Sequence, residues 1–89
     1  EHRALALLPS RDASRLAGVL LLDIRTGSLI LVQAKAVLLA TGGGPTMYTY
    51  HTPSGDKSCD GMAMALRAGL KLRDMEMVQF HPTGVLAGP

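Results

Sequence analysis

The stretch A-K-A-V-L-L-A-T-G-G-G, residues 34–44, is the part of the chain that decides how the fold is interpreted. Its apolar run, residues 37–40, lacks the polar alternation of a strand with one solvated face. It therefore predicts a strand covered on both faces, as in the parallel sheet of an α/β fold. The three glycines that follow permit a sharp turn and let a ligand approach the backbone N–H groups. Glycine clusters after strands are common in simple turns, so this motif alone does not establish a cofactor site.

The segments before this stretch predict an antiparallel β-meander that leads into the buried strand. Residues 4–8 form a brief apolar run ended by Pro9. Residues 16–24 and 28–32 are rich in aliphatic side chains, and Gly27 between them can supply the positive φ of a tight hairpin. The first half of the chain is therefore predicted to be a short run of paired strands.

The segments after the glycines predict a loop, one short helix and a further strand. Residues 45–58 are dominated by turn-forming residues. Asp60 is a good N-cap residue, strong helix formers follow it, and Gly69 is the expected C′ glycine. Residues 70–80 predict a strand or extended segment, stopped where proline holds His81 in an extended backbone.

Composition and charge limit the classes of function. The 89 residues carry a formal net charge of +2, and the basic side chains are scattered, so no nucleic-acid partner is indicated. The apolar run at residues 16–22 is too short to span a bilayer, and no signal-peptide pattern follows the first residues. A single cysteine fits a reducing compartment, and we expect a cytoplasmic location. Few aromatic residues predict a thin core, as in a segment supported by something larger.

The histidines and the cysteine do not predict a metal site. The three histidines and Cys59 show no metal-ligand spacing. His2 and His51 are interpreted as surface residues. Cys59 has no base placed beside it in the sequence, so we interpret it as a small residue at the start of the helix and not as a nucleophile.

Three motifs together resemble one known family. They are A-T-G-G at residues 40–43, D-G-M-A-M-A-L-R-A-G at 60–69 and D-M-E-M-V-Q-F-H-P-T-G at 74–84. In this order and spacing they resemble the flavoprotein subunits of succinate dehydrogenase and fumarate reductase, a family that also includes L-aspartate oxidase. The resemblance implies an internal piece of an FAD-dependent oxidoreductase, with an α/β fold seen here as an α+β fragment. Residues 1–73 would be the later part of the FAD-binding domain, and residues 74–89 the start of the substrate-capping domain.

The resemblance also implies roles for individual residues. Thr41, Gly42 and Gly43 would form a second glycine turn near FAD, and Asp60 would contact FAD from the start of its helix. From the residues alone, a simple helix N-cap is the preferred interpretation of Asp60, and the two roles compete for the same carboxylate oxygens. His81 and Thr83 would bind a carboxylate of the substrate, since an imidazole N–H can donate to it.

The implied activity is the interconversion of succinate and fumarate, with hydride exchange at the flavin. None of the arginines present matches the family's proton-shuttling arginine, so no catalytic residue is assigned and the 89-residue chain is expected to be inactive and to bind FAD weakly. The complete protein would also bind an iron-sulfur subunit and a membrane anchor on the inner face of the membrane. An L-aspartate oxidase fragment and a small structural or interaction module remain alternatives, and exposed apolar patches or self-association would favour a fragment over the module.

Two positions depart from the family pattern. Gly44-Pro45-Thr46 follows the glycine turn where the family often has a small residue, a glycine and an arginine, so an arginine contact is lost. Cys59 stands where many members have glycine in T-G-D-G. These changes leave the choice among succinate oxidation, fumarate reduction and aspartate oxidation open.

Overall fold

The fold is built from three antiparallel strands and one helix, seen in a computed structural model that describes residues 1–85. The strands are β1 (His2–Pro9), β2 (Leu16–Asp23) and β3 (Leu29–Gln33), paired in the order β1-β2-β3. A 3-10 helix, Pro45–Met47, and the helix α1, Asp60–Arg67, follow. The predicted β-meander and the single short helix are therefore confirmed, as a small α+β arrangement.

The hairpin between β2 and β3 forms where its sequence predicts it. Gly27 has a φ of 74°, and its N–H donates to the Asp23 carbonyl at 2.8 Å. The Asp23 carboxylate accepts hydrogen bonds from the backbone N–H groups of Arg25 and Thr26, at 2.9 and 3.3 Å. The Arg25 bond is the main reason that the pKa of Asp23 is lowered from 3.8. Because the ionised form is preferred in the folded turn, this contribution to stability is present above pH 4 and is lost as the pH falls.

Helix α1 ends in a Schellman motif at the predicted glycine. Gly69 has a φ of 87°, its N–H donates to the Leu66 carbonyl, and the Leu70 N–H donates to the Ala65 carbonyl, each at 3.0 Å. These are the two bonds that satisfy the last free carbonyls of a helix. The prediction of Gly69 as the C′ residue is confirmed.

The helix packs on the first strand and makes a small core. Within residues 1–85, the buried apolar side chains are Leu7 of β1 together with Met64 and Ala65 of α1. Gly61 is also buried, one helical turn before Ala65. The thin core expected from composition is what the chain has.

The predicted buried strand at residues 37–40 is wrong. After β3 the chain leaves the sheet, with a last bond from the Ala34 N–H to the Ala17 carbonyl at 3.0 Å. Residues 37–40 are not in a strand, and the Leu38 side chain is 91% exposed. An apolar run becomes a covered strand only where neighbouring strands and a second layer meet it, and no segment of residues 1–85 does so.

Residues 70–80, predicted as a strand or extended segment, form no strand. Asp74 has a φ of 54°, and its carbonyl accepts a hydrogen bond from the Met77 N–H at 2.9 Å, which makes a turn in the middle of the segment. Met77 and Phe80 are 76% and 82% exposed. The sequence pattern did not indicate the turn that interrupts the segment.

Candidate functional site

The glycine turn packs directly against the start of α1. A Cβ atom added to Gly61 would lie 1.8 Å from the hydroxyl oxygen of Thr41 and 3.0 Å from the Thr41 Cβ. Only a residue without a side chain allows Thr41 to lie this close to the helix. Two of the motifs that resemble a flavoprotein, separated by about twenty residues in sequence, are therefore in contact.

A second contact of the same kind lies beside the first. A Cβ atom added to Gly44 would lie 1.7 Å from the Cys59 sulfur. Cys59 is the N-cap residue of α1 and has a left-handed backbone, with φ 65° and ψ 13°. The interpretation of Cys59 as a small residue at the start of the helix is confirmed, and its thiol fills the space that a side chain at position 44 would need.

Asp60 is the first residue of α1 and not its cap. No side chain caps the helix, since the N-cap position belongs to Cys59 and it makes no side-chain hydrogen bond. The prediction of Asp60 as the N-cap is therefore wrong by one position, because the left-handed Cys59 already turns the chain into the helix. The Asp60 carboxylate lies in the first turn, where the helix dipole favours a negative charge.

The Asp60 carboxylate is paired with Arg3, a residue that no sequence motif indicates. Arg3 of β1 donates from its guanidinium to Oδ2 of Asp60 at 2.9 Å, with the side chains 57% and 42% exposed. A half-exposed pair of this kind contributes about 0–1 kcal/mol to stability, so its main effect is to orient the carboxylate. Nothing in the local sequence of Arg3 indicates this pair, because it depends on α1 lying against β1.

The glycine turn has backbone donors that the fold does not use. Among residues 1–85, no backbone hydrogen bond is donated by the N–H groups of residues 41–44. Thr41, Gly42 and Gly43 are exposed, and Gly42 has a φ of 77°. The turn thus presents free N–H groups next to an uncapped helix start, which is the donor set that phosphate and hydroxyl groups of a dinucleotide require.

A groove continues from the glycine turn to His81. One cleft, of about 480 Å³, is lined by Gly43, Gly44 and residues of the 74–79 segment. A second, of about 730 Å³, includes His81 and shares four lining residues with the first. The shared residues are Pro45, Tyr48, Pro53 and Gln79. Of the predicted cofactor residues, Gly43 lines the first cleft, and the predicted substrate residue His81 lines the adjoining one. Thr41, Gly42 and Asp60 are not among the lining residues of these clefts.

His81 and Thr83 lie together at the far end of this groove. His81 Nδ1 contacts the carbonyl of Thr83, which can only accept, so this nitrogen carries the proton. The longer contact from the Thr83 N–H to the same nitrogen, at 3.4 Å, needs the other tautomer and is the weaker of the two. Both residues are exposed and line a cleft of about 620 Å³ with Thr52 and His51. His51, which the sequence indicated only as a surface residue, is therefore part of the site region.

Comparison with known proteins identifies the family. The sequence model of the FAD binding domain matches residues 1–88. The chain belongs to the FAD binding domain family. The prediction of FAD as the cofactor is confirmed at the level of the family, and the motifs at residues 40–43 and 60–69 contact each other in this chain.

The relatives of this FAD-binding chain are flavoproteins. It is 44% identical over 85 residues to the fumarate reductase flavoprotein subunit of Escherichia coli K12 and 49% identical over 78 residues to the 8-methylmenaquinol:fumarate reductase flavoprotein subunit of Wolinella succinogenes. It is 45% identical over 73 residues to an uncharacterized FAD-dependent oxidoreductase of Methanocaldococcus jannaschii. These alignments cover 96%, 86% and 82% of this chain.

The matched region is a small part of each relative. The aligned stretch is 14% of the Escherichia coli and Methanocaldococcus jannaschii proteins and 13% of the Wolinella succinogenes protein. The family resemblance drawn from the three motifs is confirmed. The comparison with solved structures gave no significant match.

Residues 1–85 contain no candidate for a membrane-spanning helix or for a metal site. No helix there has both the length and the apolar composition that crossing a bilayer requires. No group of three or more His, Cys, Asp or Glu side chains is placed to hold a metal ion.

Proposed function

We propose that this chain is a segment of an FAD-dependent oxidoreductase that interconverts succinate and fumarate. The observation that carries the proposal is the contact of the Thr41 turn with the start of α1, from which a groove continues to His81. The names of the fumarate reductase relatives support the choice of substrate. Residues 1–73 would contribute to the FAD-binding domain and residues 74–89 to the start of the capping domain, although residues 86–89 lie outside the described range.

On this proposal the glycine turn and α1 hold the cofactor. The N–H groups of Thr41, Gly42 and Gly43 would donate to oxygen atoms of FAD, since the fold leaves them without backbone partners. Arg3 occupies only Oδ2 of Asp60, so Oδ1 remains to accept a hydrogen bond from a hydroxyl group of FAD. The competition between capping and cofactor binding does not arise, because Asp60 does not cap the helix. FAD, when bound, supplies the redox chemistry.

His81 and Thr83 would hold a carboxylate of the substrate at the other end of the groove. The exposed imidazole, in its protonated form, and the Thr83 hydroxyl are both suitable donors to a carboxylate. Within the proposed whole protein, the remaining chain would supply the proton-transfer residue, and an iron-sulfur subunit and a membrane anchor would place it on the inner face of the membrane.

A graft into a relative tests this proposal. The aligned 85 residues of the Escherichia coli flavoprotein subunit would be replaced by those of this chain, and the purified product assayed for bound flavin by absorbance and for fumarate reduction. We expect retained FAD and measurable activity. Asp60→Ala in the graft is expected to lower FAD occupancy, whereas His81→Ala is expected to leave FAD bound and raise the KM for fumarate, because Asp60 lies at the start of α1 beside the glycine turn and His81 lines the separate cleft proposed for the substrate.

Two outcomes would contradict the proposal. The first is a folded graft that binds no FAD. The second is an FAD-loaded graft that oxidises L-aspartate but not succinate, which would assign the segment to the aspartate oxidase branch. A fluorescence titration of the 89-residue chain with FAD is the companion measurement, and saturable micromolar binding would show that the rest of the flavoprotein is not needed.

A further inference from the structure

We propose that His51 is a second substrate-binding residue, and that the two imidazoles of His51 and His81 bind one small dicarboxylate together as cations. This inference rests on the proposed function, because it takes His81 as a carboxylate-binding residue. It extends that function to a residue outside the three motifs that match the flavoprotein pattern.

The first support is that both histidines line the same two clefts. The cleft of about 730 Å³ and the smaller one of about 620 Å³ each include His51 and His81. The two residues are thirty positions apart, on separate segments that come together only in the fold. Both side chains are exposed, so a ligand in the cleft can reach them from solvent.

The second support is that both rings are held in the same way. His51 Nδ1 lies 3.1 Å from the carbonyl of Pro53, and His81 Nδ1 contacts the carbonyl of Thr83, each two residues along the chain. A carbonyl accepts and does not donate, so both contacts favour the tautomer with the proton on Nδ1. The local sequences are similar too, with His51-Thr52-Pro53 on one segment and His81-Pro82-Thr83 on the other.

This tautomer has a chemical consequence for ligand binding. A neutral imidazole has one N–H, and here that N–H is already bonded to the backbone. Its other nitrogen, Nε2, can then only accept, so a neutral ring offers nothing to a carboxylate. When the ring takes up a proton, Nε2 becomes a charged donor, and a charge-assisted hydrogen bond to a carboxylate can form. Binding of a dicarboxylate is therefore coupled to the uptake of protons by the two rings.

The two histidines are the source of the positive charge that a bound dicarboxylate would meet in these clefts. The remaining titratable residues that line the two clefts are the phenols Tyr48 and Tyr50. Among residues 1–85, no carboxylate, lysine or arginine lines either cleft. Asp56 and Lys57 are near in sequence, but Asp56 accepts from the Ser54 hydroxyl and Lys57 lines the neighbouring cleft at the glycine turn, together with Asp74. A bound dianion would thus meet two imidazolium rings and no fixed negative charge from the lining.

Succinate titrations followed by NMR of the histidine Cε1–H signals test the inference in the full chain. At pH 5.5 we expect succinate to shift the signals of His51 and His81 together, and to bind about tenfold more tightly than at pH 8.0. His51→Leu is expected to weaken binding about fivefold at pH 5.5 and less than twofold at pH 8.0, since only the protonated ring donates. His51→Gln keeps a donor but cannot titrate, so it should reduce the dependence on pH more than the affinity itself.

His2→Leu is the matched control, because His2 is an exposed imidazole of β1 that lines neither cleft. It should change neither affinity nor pH dependence. If His81 responds to succinate and His51 does not, the inference fails and the proposed substrate site survives. If neither ring responds, the assignment of His81 fails as well. If acetate shifts both rings as strongly as succinate at equal carboxylate concentration, the rings bind simple anions and the shared dicarboxylate site is wrong.

Discussion

At the scale of the residue, the contact between Gly44 and Cys59 explains one departure from the flavoprotein pattern. Cys59 replaces the glycine that many members have before the aspartate, and it keeps the left-handed backbone that glycine adopts most easily. Its thiol then occupies the space next to Gly44. The two positions are coupled, so the effect of a substitution at one depends on the residue at the other.

This coupling gives a prediction for three variants. Gly44→Ala is expected to lower the free energy of unfolding by about 1–3 kcal/mol, because its Cβ would overlap the Cys59 sulfur. In the double variant, Cys59→Gly should remove most of the destabilisation caused by Gly44→Ala. Cys59→Gly alone should stabilise the chain slightly, because glycine adopts the left-handed backbone at position 59 more easily than cysteine. Urea unfolding of the single and double variants measures this coupling.

Gly55→Ala serves as the control for these variants, since a Cβ at Gly55 would meet no atom within 4 Å. Strictly additive effects of Gly44→Ala and Cys59→Gly would show that the two side chains do not share this space.

Residue-scale contacts of this kind are what the sequence could not supply. The family resemblance implied cofactor roles for Thr41, Gly42, Gly43 and Asp60, and the structure brings the turn and the helix together. The Arg3–Asp60 pair and the place of His51 depend on segments far apart in the chain. A lone arginine or histidine carries no local signal of its partner.

At the scale of the element, turns and helix ends that depend on residues close in sequence could be predicted. Strands that need partners from distant parts of the chain could not. The hairpin at Gly27 and the helix end at Gly69 are determined by a few residues, and both are found as predicted. The strand expected at residues 37–40 needed partners that the described chain does not place beside it. The turn at Asp74 needed a left-handed residue that is not glycine, which sequence patterns seldom reveal.

The end of α1 gives the prediction at this scale. Gly69→Ala is expected to lower the free energy of unfolding by about 1 kcal/mol, because the added Cβ disfavours the positive φ on which the Schellman bonds depend. Circular dichroism at 222 nm during urea unfolding measures the loss of helix. No atom lies within 4 Å of the new Cβ, so a clash cannot account for the effect.

If Gly69→Ala leaves the unfolding curve unchanged, the left-handed end of the helix contributes nothing to stability. The free energy of unfolding of Gly69→Asn should fall between that of the unchanged chain and that of Gly69→Ala, since asparagine tolerates this conformation better than alanine.

At the scale of the whole molecule, the chain is a thin layer with much apolar surface. The Cα radius of gyration is 16.1 Å, against about 12 Å for a compact domain of this length, and the smallest dimension is 16 Å. Leu29, Leu31 and Val32 of β3 are 63%, 59% and 41% exposed. This surface favours a fragment over the alternative of a closed, self-contained module.

The exposed strand gives the third prediction. β3 is the edge of the sheet on the side away from β1, and its five residues carry no charge or proline that would oppose pairing with another strand. We expect the isolated chain to self-associate, as sedimentation velocity would show by a concentration-dependent increase in mass. Leu31→Lys should shift the chain toward the monomer.

Leu70→Lys is the control, because Leu70 is similarly exposed, at 53%, but lies outside the sheet. A monomer at all concentrations, or equal effects of both lysines, would contradict pairing through β3.

The packing of a cysteine sulfur over a glycine also bears on how this segment can diversify. Position 44 is open to a larger residue only in a descendant that first restores glycine at position 59, and a bulkier residue at 59 would push the turn away from the helix. Related genes should therefore show the two sites changing in concert, with a small residue always kept at one of them. Alkylation of the same sulfur would act as such a bulkier residue, and would separate the glycine turn from the start of α1 without any change in the gene.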